Sequence, residues 1–213
     1  MANAFPEKAG ESASRAAVAQ EARFAEAAIH DQFIKRWSSR AFANEALDQA
    51  TIDSLFEAAR WAPSAANNQP WLFIYANNEP DLVLFRSLIN DKNRRWADRA
   101  PLLAFVLARK HQQGKPIRSA AFDTGAAWMS LALQAHNLGL TARAMGGIHR
   151  EQVYPALGIP SEDYEVMCGL AIGRIGDGAF LPPDLAEREH PNSRRPLAEV
   201  AVRGGFPAGK AGE

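Results

Sequence analysis

Lys35-Arg36-Trp37-Ser38-Ser39-Arg40 sets three cations and two hydroxyls within six residues. Guanidinium and hydroxyl donors grouped in this way can grip a phosphate ester through charge-assisted hydrogen bonds. The same residues also suit a solvated basic turn. A second cluster, Ala62-Pro63-Ser64-Ala65-Ala66-Asn67-Asn68-Gln69-Pro70-Trp71, is dense in amides, small residues and prolines. Such a loop can present backbone N–H groups and amide side chains to a flat polar heterocycle, or it can be an ordinary connection. The third cluster, Gly139 to Gly147, ends in Met145-Gly146-Gly147. Paired glycines admit close approach of the backbone to a ligand, and they equally make a turn.

Other chemistries find no support. No G-x-G-x-x-G follows a strand pattern, and G-x-S-x-G is absent. Gly204 to Lys210 reads G-x-x-x-x-G-K, but Ala211 stands where a phosphate loop needs Ser or Thr and no helix follows. His30, His111, His136, His149 and His190 have no i,i+4 pairing, so no helical zinc motif is present. The single Cys168 excludes an internal disulfide framework, and its apolar surroundings suit a buried filler better than a nucleophile. Lys plus Arg and Asp plus Glu are both 24, which argues against binding nucleic acid through a general basic surface. The apolar run Ala100 to Ala108 is far shorter than a membrane span, and the first ten residues carry no apolar signal core. These features lead to the expectation of a reduced, soluble, cytoplasmic protein of one core-forming domain, 213 residues long.

Positioning the three clusters requires alternating helices and strands from about Phe33 onward. Asp48 is placed to cap a helix carrying Ile52, Leu55, Phe56 and Ala59, with Leu47 stapling onto Ile52 and Pro63 ending the element. Trp71 to Ala76 and Pro101 to Ala108 suit buried strands, with Asp81 to Ile89 helical between them. Ser119 to Leu138 reads as a long helix, apolar nearly all round and closed by Gly139. Leu140 to Met145, a short helix around Glu151 to Leu157, and a strand over Glu165 to Gly173 complete the pattern. The Pro-, Gly- and Arg-rich tail looks extended. Three or four strands separated by helices indicate α+β or α/β, with one sheet covered on both faces. Residues 1–30, eleven of them Ala, read as a helical or partly ordered extension preceding a domain over 31–213.

From about Phe33 to Val202 the chain resembles the FMN-dependent nitroreductase family. The resemblance is carried by Arg36-x-Ser38-x-Arg40-x-Phe42 and by Ala58-Ala59-Arg60-Trp61-Ala62-Pro63-Ser64-Ala65-x-Asn67-x-Gln69-Pro70-Trp71. Asn93-x-x-Trp96-x-x-x-Ala100-Pro101, Leu138-Gly139-Leu140, Gly146-Gly147 and Asn192-Ser193-Arg194-Arg195-Pro196-Leu197 follow in order. It implies an α+β three-layer sandwich that dimerises through long central helices and an extended tail, with two FMN sites at the subunit interface.

By matching position, Arg36, Ser38 and Arg194 are implied to hold the phosphate and ribityl chain, with Trp37 contributing main chain. Arg40 is implied at the N1/C2 carbonyl edge of the ring and Asn93 at its pyrimidine side. Pro63, Ser64, Ala65 and Asn67 are implied to come from the other subunit. The N–H groups of Gly146 and Gly147 are implied to face the N5/O4 edge, and Gln69 and Trp71 to shape their loop. The activity implied is a ping-pong cycle in which NADH or NADPH gives a hydride to the flavin, and a nitroaromatic, quinone or activated alkene is then reduced. A dehydrogenase or dehalogenase on the same scaffold, or a flavin-binding redox sensor, are the rival readings. Two positions depart from the family pattern: Gly146 stands where many relatives have Glu, and Asn192 where they have a second cation.

Overall fold

The computed structural model describes residues 23–207. They fall into two compact units, one formed by Arg36–Glu189 and the other by the described parts of the two terminal segments, 23–35 and 190–207. In chain order the elements are α1 (Gln32–Lys35), α2 (Gln49–Arg60), a 3-10 turn (Ala65–Asn67), β1 (Trp71–Ala76), α3 (Glu79–Ser87) and α4 (Asp91–Ala97). Then come β2 (Leu102–Arg109), β3 (His111–Gln112), β4 (Lys115–Pro116), α5 (Ala120–Asn137), β5 (Leu140–Met145) and α6 (Arg150–Ala156). β6 (Tyr164–Arg174), α7 (Pro183–Ala186) and α8 (Leu197–Val200) follow.

Four strands form one sheet in the order β1-β2-β6-β5, and β3 and β4 make a separate short ribbon. Every pairing in the four-stranded sheet is antiparallel, which selects α+β over the α/β alternative. β2 is central, and its alternation builds both halves of the core. Leu103, Phe105 and Leu107 face one layer, where Leu82 and Phe85 of α3, Trp96 of α4 and Val153 of α6 pack. Leu102, Ala104 and Val106 face the other, against Ile52, Leu55 and Ala59 of α2 and Ala127, Leu131 and Ala135 of α5. Each fully buried Leu or Phe contributes about 1.5–3 kcal/mol of transfer free energy, so this strand anchors the sandwich.

Local capping explains where the helices start. The Asp48 carboxylate accepts from the Thr51 N–H at 2.6 Å, and Leu47 packs against the core cluster to which Ile52 belongs. Asn78 accepts from the Asp81 N–H, which starts α3 at Glu79, two residues before the expected Asp81. Asn90 does the same for α4, accepting from the Asn93 N–H at 3.0 Å. That helix was not expected, because its seven residues offer only Trp96 and Ala97 to the core. Gly139, at φ +70°, ends α5 as expected. α5 buries one stripe that includes Asp123 and Thr124, while the apolar Phe122 on another face is 82% exposed.

In the terminal unit, the Leu197 N–H at the start of α8 donates to the Glu26 carboxylate at 3.0 Å. No helix forms over the described residues 23–31; the rest of the Ala-rich stretch, 1–22, lies outside the described residues.

Candidate functional site

The basic segment is fastened to the edge strand β5 and to Glu189. The Ser39 N–H donates to the Thr141 hydroxyl at 3.1 Å, and that hydroxyl donates onward to the Trp37 carbonyl at 3.3 Å. The segment then continues toward β6: Phe42 bridges Ile175, and the Ala43 N–H reaches the Arg174 carbonyl. Glu189 Oε1 accepts from the Ser39 hydroxyl, from the Arg40 N–H at 2.7 Å and from the Ala41 N–H at 3.2 Å. Its Oε2 lies 3.7 Å from the Arg40 guanidinium, and both side chains are largely buried. One carboxylate therefore fixes three consecutive residues and faces the arginine that follows Ser39.

Arg36, Ser38, Arg143 and Ala144 line a pocket of about 250 Å³ whose apolar wall is Trp128, Met129 and Ala132 of α5. An Arg36 Nη1 donates to the Ser38 hydroxyl at 3.4 Å. The Arg143 guanidinium donates to the Ser38 carbonyl and lies over the Trp96 ring, 5.4 Å from its centroid. Burial, followed by repulsion from Arg40, lowers Arg143 to about 10, with Glu189 pulling the other way. Such a site favours an anion, since a negative charge would offset both the burial cost and the repulsion.

The glycine pair is unequal. A Cβ on Gly147 would stand 2.5 Å from Asn90 Nδ2 and 2.6 Å from Asn93 Nδ2, whereas one on Gly146 would meet nothing within 4 Å. The Asn93 amide donates to the Gly147 carbonyl at 3.0 Å, and the Asn90 N–H donates to the same oxygen at 3.2 Å. The structure thus brings Asn93 and Gly147 into direct contact across 54 residues.

The amide-rich loop is held in an uncommon backbone state. Ala66, Asn67 and Gln69 have φ of +50°, +54° and +44°. A left-handed conformation disfavours non-glycine residues, so the surroundings must impose it. Asp123, buried in the first turn of α5, accepts from the Ala65 N–H at 3.1 Å and the Ser119 hydroxyl at 2.8 Å. The Ser64 hydroxyl accepts from the Gln69 N–H, the Gln69 amide donates to the Asn67 carbonyl, and Arg109 donates to the Asn68 carbonyl. Pro63 leads into this turn.

Arg194 belongs to the terminal unit, where its guanidinium donates to the carbonyls of Asn192 and Ser193. Cys168 is buried enough to push its thiol up to about 11, as befits a filler.

Sequence reasoning missed Glu189, Arg143 and Asp123. Arg143 carried a usable signal, a lone cation inside the strand pattern Leu140-Thr141-Ala142-Arg143-Ala144-Met145. Asp123 stood out equally as the lone acid in the first turn of an apolar helix. Glu189 sits in the mixed-charge run Glu187-Arg188-Glu189-His190 and had no distinguishing signal.

Comparison with known proteins agrees with this architecture. The Nitroreductase family model matches residues 34–90 and 75–174. A solved oxidoreductase containing FMN is 43% identical, with a TM-score of 0.84 over 87% of this chain and 96% of that one. A nitroreductase structure in complex with FMN from Desulfovibrio desulfuricans, at 24% identity, shares the fold with a TM-score of 0.66 over 83% of this chain and 96% of its own. A Streptomyces coelicolor protein named for NADH dehydrogenase or NAD(P)H nitroreductase activity is 36% identical over 72 residues, 34% of this chain and 35% of that protein. The chain belongs to the Nitroreductase family.

Proposed function

We propose that the chain is an FMN-dependent oxidoreductase. It would take electrons from NADH or NADPH and pass them to nitroaromatics, quinones or related electrophiles, as a homodimer with flavin sites shared between subunits. The observation that carries this reading is the pocket where Arg36, Ser38 and Arg143 meet the apolar wall of α5. Arg36 and Ser38 suit the anionic end of a ligand whose flat aromatic body lies against Trp128 and Met129, with the Arg143 cation along its polar side. The close approach at Gly147, which leaves no room for a Cβ against the Asn90 and Asn93 amides, suits a ring with a polar edge.

Arg36 and Ser38, with Trp37 supplying main chain, would hold the phosphate and ribityl chain, the role that the family resemblance also implies for Arg194. Arg40 would approach the N1/C2 edge, already oriented by Glu189. Asn93 would meet the pyrimidine side, and the Gly146 and Gly147 N–H groups the N5/O4 edge. Pro63, Ser64, Ala65 and Asn67 would complete the partner subunit's site, their loop pre-set by Asp123. FMN, when bound, supplies two-electron transfer between a nicotinamide donor and an electron-poor acceptor. The protein's part is to orient the cofactor, keep positive charge at its pyrimidine edge and leave open the space beside Gly146.

Purified protein reconstituted with FMN should be yellow, bleach on anaerobic addition of NADH or NADPH, and regain its colour with a nitroaromatic or quinone. It should sediment near twice 23.2 kDa. A protein that takes up no FMN would overturn the reading, and a yellow monomer at full occupancy would remove the shared site. Colour that resists nicotinamide would turn it toward a redox sensor.

A further inference from the structure

We infer that Arg143 is a second cation at the pyrimidine edge of the flavin, beside Arg40, and that it favours reduced over oxidised cofactor. The inference rests on the FMN reading above and adds a residue that the motif pattern does not supply.

Three observations place Arg143 there. Its guanidinium is held between the Ser38 carbonyl and the Trp96 ring. Trp96 follows Asn93 by three residues on α4, so the amide and the aromatic platform share one side of that helix. The alternation of β5 gives Arg143 the side of Met145 and gives Leu140 and Ala142 the other, while Arg143 still borders the pocket walled by Trp128, Met129 and Ala132.

The charges around it are unbalanced. Arg40 and Arg188 repel Arg143, and no carboxylate among the described residues forms an ion pair with it. Glu189, the acid that offsets part of this repulsion, is shared: Oε1 accepts three donors, and Oε2 makes no hydrogen bond but lies 3.7 Å from the Arg40 guanidinium. Two guanidinium groups with one occupied carboxylate leave net positive charge aimed at whatever the site holds. A phosphate carries its charge in both redox states, but the pyrimidine edge becomes negative only on reduction. A cation fixed by a backbone carbonyl and an aromatic ring meets that new charge without reorganising, which is where preorganised electrostatics act most strongly.

The test compares holoprotein of the native sequence with Arg143→Gln and Arg143→Lys. Dissociation constants are measured for oxidised and chemically reduced FMN, together with the midpoint potential. Arg143→Gln should weaken reduced FMN about ten- to a hundredfold more than oxidised FMN, the equilibrium equivalent of a charged hydrogen bond, and lower the midpoint potential. Arg143→Lys should recover most of the preference. Equal weakening of both forms with an unchanged potential would overturn the inference and move Arg143 to the phosphate end. Should the glutamine variant fail to fold, Arg143→Met, which keeps an apolar stem over Trp96, is read against the same two outcomes. Native protein that binds no FMN removes the functional reading and this inference with it; native protein that binds FMN with an Arg143→Gln preference unchanged removes this inference alone.

Discussion

Glu189 combines two duties that substitution can separate. Glu189→Gln keeps an acceptor for the N–H groups of Arg40 and Ala41 but removes the charge facing the Arg40 guanidinium. Glu189→Ala strands all three donors. We expect urea denaturation to show a loss of about 3 kcal/mol for the alanine variant and about 1 kcal/mol for the glutamine, as buried polar groups lose all or part of their partners. The glycine pair offers a second contrast. Gly147→Ala must push aside the Asn90 and Asn93 amides and should cost about 1–2 kcal/mol, whereas Gly146→Ala enters open space and should stay within about 0.5 kcal/mol. Equal effects in thermal unfolding would show that the amides do not crowd Gly147. At this scale the sequence singled out Arg36, Ser38, Arg40 and Asn93 by their order and spacing, as the residues proposed to meet the cofactor. It hid their partners: a carboxylate far away in sequence has no spacing that betrays what it will meet.

Between elements, the amide-rich loop depends on α5 more than on itself. Asp123→Ala releases the Ala65 N–H and the Ser119 hydroxyl together, and should destabilise the protein by about 2–3 kcal/mol in urea. Ala66→Gly removes a side chain from a left-handed position and should be neutral or stabilising by up to about 1 kcal/mol. A destabilising Ala66→Gly would mean the loop is not under conformational strain. Cys168, on β6, should react with iodoacetamide at pH 8 at least about a hundredfold more slowly than a free thiol, because burial leaves very little thiolate. The four strands of the main sheet were legible almost to the residue, since β2 and β6 are apolar runs bounded by clear breakers, whereas the two-residue strands β3 and β4 are too short and polar to show a pattern. α4 was not, because a helix of seven residues capped by Asn90 shows too little periodicity to register. The left-handed run over Ala66, Asn67 and Gln69 was equally hidden, as none of these residues is a glycine.

At the scale of the whole molecule, the family model reaches from residue 34 to residue 174, while the compact central unit runs from Arg36 to Glu189. Deleting residues 1–29 should leave FMN bound, since every proposed contact begins at Arg36; it also removes Glu26, the acceptor for the Leu197 N–H. Loss of both flavin and cooperative unfolding would assign that extension to the structural core. The distance along the chain between the Ser39 hydroxyl and its carboxylate has a kinetic meaning. Those groups are 150 positions apart, whereas the β5–β6 pairing joins neighbours separated by one short helix. Closing the longer loop yields few contacts for the entropy it consumes, so it belongs after the barrier to folding. Stopped-flow measurements on Glu189→Gln should therefore show faster unfolding with an almost unchanged refolding rate. The native molecule would then lose its basic segment before its sheet, and a protease would find Arg36 and Arg40 while the sandwich behind them was still intact.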